Sequence, residues 1–191
     1  MIYINDNIGL IPFEPALQEL SAQRREQALQ FKFEQGRRLS VAAYLLLKEG
    51  LRQEYGIETA PIFGYHDSGK PFIEDHPDIH FNLSHCREAA ICALSDHPVG
   101  VDIESIREYK NSLAEYTMNE QELEAIRGTV RPDVAFIRLW TMKESLLKLT
   151  GEGIRNNMKQ VIAETGDRVR YTTVVNTVRG YVYSVCEWNT N

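Results

Sequence analysis

The chain has 191 residues, 43% hydrophobic and 25% charged, which suits one sizeable globular domain or two small halves that share a core. Its net charge of -6 lacks the basic field that covers nucleic-acid phosphates, so neither DNA nor RNA is an expected partner. Three cysteines without a CxxC pair, no apolar run long enough for a membrane span and no basic residue before Arg24 predict a cytoplasmic protein without a secretory signal.

The first third of the chain predicts one strand and two helices. Alternating apolar and polar residues mark a strand over residues 1–5. Apolar residues at helical spacing then predict helices over about residues 15–33 and 35–55, and Gly56 is the expected stop of the second helix.

After Gly56 the helical spacing of apolar residues ends, and the residue pattern predicts turns and short strands. Residues 61–73 are rich in turn formers around DSGKP. The alternating IHFNLSH, residues 79–85, and the apolar AAICAL, residues 89–94, each predict a strand. The following SDHP predicts a hairpin turn into the next strand, HPVGVDIESI.

The last third repeats the order of helices followed by strands. Helices are predicted over about residues 112–127 and 132–150, and VRYTTVV and GYVYSVCEW read as strands. The repetition predicts an α+β architecture of two similar halves, residues 1–98 and 99–191, although the pairing order of the strands cannot be read from the pattern.

Two carboxylates share one face of the strand that follows the SDHP turn. Asp102 and Glu104 alternate with apolar residues, so they point to the same side one pleat apart. Such a pair is either solvated on an edge strand or offset by a hard cation such as Mg²⁺, which one or two carboxylates hold together with phosphate and water. Gly100 leaves room for a group to approach the backbone there.

The helix over residues 132–150 carries a second polar set beside its core stripe. Trp140, Lys143, Glu144 and Lys148 lie at i, i+3, i+4 and i+8, a spacing that gathers side chains on one face. One interpretation is a surface Glu144–Lys148 ion pair worth about 0.3–0.5 kcal/mol. The other is a third metal carboxylate flanked by two cations that contact phosphate oxygens.

The remaining polar candidates are weaker. Ser84 and His85 end a strand, where functional groups concentrate, but neighbours on a strand point to opposite faces, so neither Ser84–His85 nor Cys86–His85 forms a nucleophile–base pair. No G-x-S-x-G, Walker A or G-x-G-x-x-G pattern is present. Lys70 and the basic run over residues 24–38 are either solvated or contacts for phosphate.

Four motifs in chain order resemble the 4′-phosphopantetheinyl transferases of the surfactin-synthetase-activating type. They are GKP at residues 69–71, FNLSH at 81–85, GVDIE at 100–104 and WTMKESLLK at 140–148. The resemblance covers most of the chain and implies a monomeric pseudodimer, with helices packed on a small, mostly antiparallel sheet in each half and the active site between the halves. It also implies an enzyme that uses Mg²⁺ to move 4′-phosphopantetheine from coenzyme A to a serine of an apo acyl or peptidyl carrier protein, releasing 3′,5′-ADP.

The resemblance assigns roles to individual residues. The implied metal ligands are Asp102, Glu104 and Glu144. The implied catalytic groups are Glu144, Lys148 and His85. The implied coenzyme A contacts are Arg24, Arg38, Lys70, Ser84, His85, Lys143 and Lys148. In this interpretation Lys148 and His85 share the charge on the leaving 3′,5′-ADP, and Glu144 takes the proton of the carrier serine.

Two other functions stay open, and so does the place where a carrier would bind. The chain could be a catalytically silent homologue that binds coenzyme A or carriers, or a metal-dependent phosphohydrolase that uses water as the acceptor. The segment over residues 107–126, with Tyr109, Leu113, Tyr116 and Met118, is either a docking surface for the carrier or ordinary core.

Overall fold

The computed structural model describes residues 1–153 and 157–189 and has an α+β fold with small antiparallel sheets, as predicted. The strands are β1 (Ile2–Asn5), β2 (Phe63–Tyr65), β3 (Pro71–Ile73), β4 (His80–His85), β5 (Ala90–Ser95), β6 (Val99–Ser105), β7 (Val169–Asn176) and β8 (Tyr181–Trp188). The α-helices are α1 (Phe13–Gln18), α2 (Ala22–Leu29), α3 (Glu34–Tyr55), α4 (Asn111–Thr117), α5 (Glu120–Arg127), α6 (Pro132–Thr150) and α7 (Val161–Thr165). In this described part of the chain, no helix combines the length and the apolarity needed to cross a bilayer.

The first layer is a three-stranded sheet covered by the long helix α3. The sheet has the order β1-β5-β4, with antiparallel pairing on both sides of β5. Tyr44, Leu47 and Leu51 repeat at helical spacing along α3 and are fully buried in one cluster with Cys92 and Leu94 of β5. This packing explains why the helix predicted over residues 35–55 forms, and Gly56 ends it in the left-handed conformation at φ 67°.

The second layer pairs the sheet β6-β8-β7 with helix α6, and the two elements approach unusually closely. A Cβ atom at Gly100 would lie 2.0 Å from the carbonyl oxygen of Ser145 and 2.5 Å from the amide nitrogen of Leu149. The sequence pointed to room for an approaching group at Gly100, and the group that uses this room is the backbone of α6.

The two layers meet where β6 packs against β4 and β5. Ile91 of β5 shares an apolar cluster with Val101 and Ile103 of β6. Side chains of β4 then bond to the backbone of β6: the amide of Val101 donates to Asn82 Oδ1 at 2.9 Å, and the amide of Ile103 donates to Ser84 Oγ at 3.4 Å. The joint therefore combines apolar burial with hydrogen bonds from side chains to backbone.

The predicted hairpin between β5 and β6 is wrong. Strand β5 pairs with β1 and β4, and β6 pairs with β8, so the turn at residues 96–98 carries the chain from one sheet to the other. The turn residues themselves were read correctly. A local turn signal does not specify whether the chain returns alongside the same strand or leaves the sheet.

Two predicted helices are each split into two shorter ones. The pattern over residues 15–33 contains Ser21, whose hydroxyl accepts a hydrogen bond from the amide of Arg24 and begins α2. The pattern over residues 112–127 contains Asn119, which forms a capping box with Glu122 at the start of α5. Both breaks occur at N-cap residues, a local signal that a continuous apolar period conceals.

Replacement of Gly100 by alanine tests the close packing of β6 on α6. The added Cβ would clash with backbone atoms, which cannot rotate away as a side chain could. We expect Gly100→Ala to lower the free energy of unfolding by about 2–3 kcal/mol or more, measured by urea denaturation. Gly9→Ala is the control, because no atom lies within 4 Å of a Cβ there. An unchanged urea midpoint for Gly100→Ala would contradict the packing described here.

Candidate functional site

The candidate site lies where β4, β6 and α6 meet. Lys148 of α6 donates from Nζ to Asp102 Oδ1 at 2.7 Å and to Ser84 Oγ at 2.9 Å, and Ser84 Oγ donates to the same Asp102 oxygen at 2.9 Å. The Asp102 side chain is 6% exposed, whereas that of Lys148 is 30% exposed. The Asp102 carboxylate is therefore shielded from solvent, whereas the Lys148 side chain is accessible to a ligand.

Two further carboxylates flank Asp102, and each has a raised pKa. Burial raises the pKa of Glu144, the charges of Asp102 and Glu104 raise it further, and Lys148 opposes them. Burial and Asp102 likewise raise the pKa of Glu104, while Arg107, whose Nη2 lies 3.7 Å from Glu104 Oε2, lowers it. The three acids predicted from the sequence therefore lie close enough to interact electrostatically.

Two buried carboxylate oxygens at this site have no hydrogen-bond partner among the described residues. They are Asp102 Oδ2 and Glu144 Oε1. Buried polar atoms are nearly always satisfied, so an unpartnered pair on neighbouring acids fits a divalent cation. The acids are not a finished ligand set, because within residues 1–153 and 157–189 no three His, Cys, Asp or Glu side chains form a metal-binding group. Mg²⁺ commonly completes such a partial set with phosphate and water oxygens.

A cavity of about 380 Å³ opens beside the acids, and both halves of the chain contribute to its wall. Lys70 and Asn82 line it from the first half, and Glu144 and Lys148 line it from α6. A volume in this range accommodates a small organic group. The cavity places such a group next to the Asp102–Lys148 cluster.

Lys70 lies at the seam between the two layers. Its Nζ donates to the carbonyl of Leu149 at 3.1 Å and to the carbonyl of Val99 at 3.5 Å, so it bonds to the last turn of α6 and to the start of β6. Burial lowers its pKa. A cation is favourable at the C-terminus of a helix, where the backbone carbonyls have no helical partners.

His85 lies close enough to Lys148 and to Arg24 to interact with both electrostatically. Partial desolvation of the His85 ring lowers its pKa, and the charges of Lys148 and Arg24 lower it further. Its ring meets the edge of Phe31 at 6.2 Å between centroids. The guanidinium of Arg24 donates to Gln27 Oε1 at 2.7 Å, and burial lowers its pKa. Arg24 therefore adds a positive charge near His85, whereas the lowered pKa of His85 favours its neutral ring, which can donate or accept a hydrogen bond.

Arg38 is not brought to this cluster. Its Nε donates to Glu34 Oε1 at 2.8 Å, and its Nη1 donates to the carbonyl of Ile11 at 2.9 Å. These bonds hold the guanidinium beside a different groove, which Arg38 lines together with Glu34 and Arg87.

Lys143 is also directed away from the cluster, contrary to the single helix face expected from the sequence. It is fully buried and donates to Glu122 Oε2 at 2.7 Å, to the carbonyl of Met158 at 2.8 Å and to the carbonyl of Thr117 at 2.9 Å. A helix turns by about 100° per residue, so Lys143 lies about 140° around the axis from Lys148, five positions later. Glu144 and Lys148, four residues apart, share the helix face that lines the cavity. Lys143 instead lies on a face of the helix that is buried in the core.

Sequence reasoning missed two residues of the site. Asn82 lines the cavity and accepts a hydrogen bond from β6, and its position two residues before Ser84 places both on one strand face. Arg107 forms an ion pair with Glu104 across the end of β6. The alternation of FNLSH could have revealed Asn82, whereas Arg107 follows the strand in a loop and gave no periodic signal.

Comparison with known proteins finds similarity to one family. The sequence model of the 4′-phosphopantetheinyl transferase superfamily matches residues 98–187. A 4′-phosphopantetheinyl transferase of Bacillus subtilis is 32% identical over 139 residues, which are 71% of this chain and 62% of that protein. The psf-1 protein of Bacillus pumilus is 30% identical over 78% of this chain and 65% of its own length, and Sfp of Bacillus subtilis strain 168 is 28% identical over 80% and 70%.

The chain is therefore similar to the 4′-phosphopantetheinyl transferases over most of its length. The resemblance drawn from its motifs is thereby confirmed. The matched segment, residues 98–187, contains Lys148 and the three acids Asp102, Glu104 and Glu144. Lys70, Ser84 and His85 precede this segment. The chain spans less than two thirds of the length of the first two relatives.

Removal of the buried Lys143 ammonium tests its structural placement. We expect Lys143→Met to lower the free energy of unfolding by about 3 kcal/mol, because Glu122 would keep a buried charge without its partner. Adding Glu122→Gln should recover part of the loss, since the amide oxygen can still accept from the amide of Asn119. Urea denaturation of both variants measures this. A double variant less stable than Lys143→Met would contradict the charge argument.

Proposed function

We propose that the chain is a 4′-phosphopantetheinyl transferase that moves phosphopantetheine from coenzyme A to a serine of an apo acyl or peptidyl carrier protein and releases 3′,5′-ADP. The observation that carries the proposal is the bonded Asp102–Lys148 cluster, with Glu144 and an unpartnered buried oxygen beside it, at the mouth of a shared cavity. The names of the related proteins support the same activity.

We propose Asp102, Glu104 and Glu144 as the residues that hold Mg²⁺. Asp102 and Glu144 carry buried oxygens without partners. Burial and the repulsion between the carboxylates raise the pKa of Glu104 and of Glu144, and this repulsion favours an added positive charge. When bound, the ion would neutralise charge on the pyrophosphate of coenzyme A.

The cations around the cavity are the proposed contacts of coenzyme A. Lys148 and Lys70 line the cavity, and His85 interacts electrostatically with both Lys148 and Arg24. The three cations would share the negative charge of the phosphates, and the His85 ring would donate a hydrogen bond to them. The Ser84 hydroxyl accepts a hydrogen bond from Lys148 and donates one to Asp102, and so fixes the position of both side chains. We do not extend the proposal to two other residues, Arg38 and Lys143, because their charged groups are held elsewhere.

The proposed reaction is an in-line transfer of one phosphoryl group. A bond forms between the oxygen of the carrier serine and the β-phosphorus of coenzyme A, and the bond from that phosphorus to the bridging oxygen breaks, leaving the electron pair on 3′,5′-ADP. Glu144 takes the serine proton directly or through a water, since its carboxylate lines the cavity in which the reacting groups would meet. Lys148 and His85 stabilise the charge on the leaving group.

We further propose that residues 1–98 and 99–191 are two related halves of a pseudodimer. In each half a three-stranded antiparallel sheet packs with one long helix, α3 or α6. Both halves line the cavity, so a single chain is sufficient for the reaction and we propose a monomer. A reducing cytoplasm would keep the free thiols Cys86, Cys92 and Cys186 unpaired.

The direct test is incubation of the protein with coenzyme A, Mg²⁺ and an apo carrier protein, followed by mass spectrometry of the carrier. We expect a phosphopantetheine adduct and an equal amount of 3′,5′-ADP. Release of 3′,5′-ADP with an unmodified carrier would indicate a phosphohydrolase instead. Bound coenzyme A without turnover would indicate a silent binding module.

The same assay tests the role of Glu144. We expect Glu144→Gln to lower the turnover by at least about 100-fold, the usual contribution of a positioned base, even at saturating Mg²⁺. The matched control is Glu49→Gln on the exposed side of α3, where Glu49 pairs with Arg52. Near-normal turnover of Glu144→Gln would exclude the proposed proton transfer.

The surface next to Glu104 is the proposed docking site of the carrier. Leu113 and Tyr116 of α4 are 39% and 61% exposed. Tyr109, Leu113 and Trp140 line a groove of about 450 Å³ that opens at Glu104. Met118, which the sequence placed in the same set, is fully buried and cannot contact a partner. An apolar face of a carrier helix fits the exposed part of this surface.

Substitution of Tyr116 tests the docking site. We expect Tyr116→Ala to raise the KM for the carrier about tenfold, because an exposed aromatic anchor is lost, while kcat and the KM for coenzyme A stay unchanged. The control is Leu10→Ala, an 82% exposed apolar residue in the first half of the chain. An unchanged carrier KM for Tyr116→Ala would place the carrier elsewhere.

A further inference from the structure

Lys148 and Asp102 are bonded to each other, although the proposed function assigns them to different ligands. Asp102 would hold a divalent cation, and Lys148 would contact the phosphates of coenzyme A. In the structure the Lys148 ammonium lies 2.7 Å from Asp102 Oδ1, a position in which its charge opposes that of any cation beside this carboxylate. The Lys148–Asp102 bond therefore competes with binding of the cation to Asp102 and with binding of the phosphates to Lys148.

We propose that Lys148 is an exchangeable counter-ion: it neutralises Asp102 in the unliganded protein and moves to the pyrophosphate of coenzyme A when a divalent cation takes its place. The proposal rests on the proposed function, since it needs the cation site and the phosphate contact named above. It adds that the divalent cation and coenzyme A must bind cooperatively, because binding of either one breaks the Lys148–Asp102 bond that opposes binding of the other.

The burial of Asp102 explains why a counter-ion is needed. Its side chain is 6% exposed, and the charges of Glu104 and Glu144 act on the same space. A buried carboxylate without a partner is strongly unfavourable. Arg107 offsets Glu104 from the solvent side, so Lys148 is the cation that contacts Asp102 directly among the described residues.

The geometry of Lys148 explains why the counter-ion can be exchanged. Its side chain is 30% exposed and ends a flexible stem of four carbons. Its ammonium group bonds to Asp102 and Ser84, which leaves one of three protons for a third acceptor. Lys143, on the same helix, contrasts with it: all three of its protons are bonded and its side chain is fully buried.

The choice of Asp102 over Glu144 is the second observation behind the proposal. Glu144 lies four residues before Lys148 on α6, the spacing of a favourable helix pair, yet the ammonium reaches across to β6. Glu144 keeps a buried oxygen without a partner, as does Asp102 on its second oxygen. The ammonium thus occupies one oxygen of the acid set, and the unpartnered oxygens remain for an incoming cation.

Binding of Mn²⁺, followed by the electron paramagnetic resonance signal of the free ion, tests the exchange without any turnover. Mn²⁺ prefers the same oxygen ligands as Mg²⁺. The dissociation constant is measured with and without saturating coenzyme A, and protein-free coenzyme A corrects for binding in solution. The variant is Lys148→Met, which keeps the stem and removes the charge. The control is Lys48→Met, which removes a lysine of similar exposure from its surface pair with Glu19.

We expect coenzyme A to tighten Mn²⁺ binding to the unaltered protein about tenfold, and Lys148→Met to bind Mn²⁺ about five- to tenfold more tightly than the unaltered protein without coenzyme A. Coenzyme A should tighten Mn²⁺ binding to Lys148→Met by a smaller factor than for the unaltered protein, because only the direct contact between pyrophosphate and cation remains and no counter-ion is left to remove. Lys48→Met should behave as the unaltered protein.

Equal or weaker Mn²⁺ binding by Lys148→Met would overturn the exchange, provided that Asp102→Asn abolishes binding and so locates the cation. That result would leave the proposed transferase intact. Absence of Mn²⁺ binding to the unaltered protein, together with no carrier adduct, would instead overturn the proposed function. Lys148→Gln repeats the measurement with a polar side chain, so loss of folding in one variant does not decide the outcome.

Discussion

The structure depends on how the backbone N–H and C=O groups on the unpaired edge of β6 find hydrogen-bond partners. One edge of this strand pairs with β8, but the other has no partner strand among the described residues and packs against the first sheet. Side chains from the first half replace the missing strand: Lys70, Asn82 and Ser84 each bond to a backbone group of β6. Buried backbone groups must be paired, so these bonds fix the relative position of the two halves. The same three residues surround the candidate site, so the joint and the site form together.

The close approach of α6 to β6 sets the depth of the site. Gly100 lets the helix backbone reach the strand, and one pleat further along, Asp102 faces the same helix. Glu144 and Lys148 are one turn apart on that helix, so both come within reach of the strand carboxylates. A larger residue at Gly100 would push the helix outward and separate the acids from the ammonium group. Packing and electrostatics are therefore not independent here.

Most elements could be predicted because their patterns are local. Period 2 in β4 and period 3.6 in α3 and α6 are visible in the sequence, and the structure confirms these elements. The hairpin from β5 to β6 was wrong because a turn does not specify which strand the chain joins next. Among the site residues, Glu144 and Lys148 share a face by simple helical arithmetic. The burial of Lys143 could not be read from the same helix, because its acceptors lie on Thr117, Glu122 and Met158, far away in the sequence.

Three acids at one place raise the question of how the fold tolerates them before any ligand is bound. Asp102 is the most buried of the three, and its charge is offset by an ammonium group with a partly exposed, flexible side chain. A rigid cation such as Lys143, with every proton bonded, would stabilise the acid but would also block it. A solvated cation such as Arg107 would leave the acid free but would offset too little of its charge. Lys148 lies between these limits, because α6 brings it near while its stem keeps it movable. The fold can then hold the acids together at moderate cost and still release one of them to a ligand.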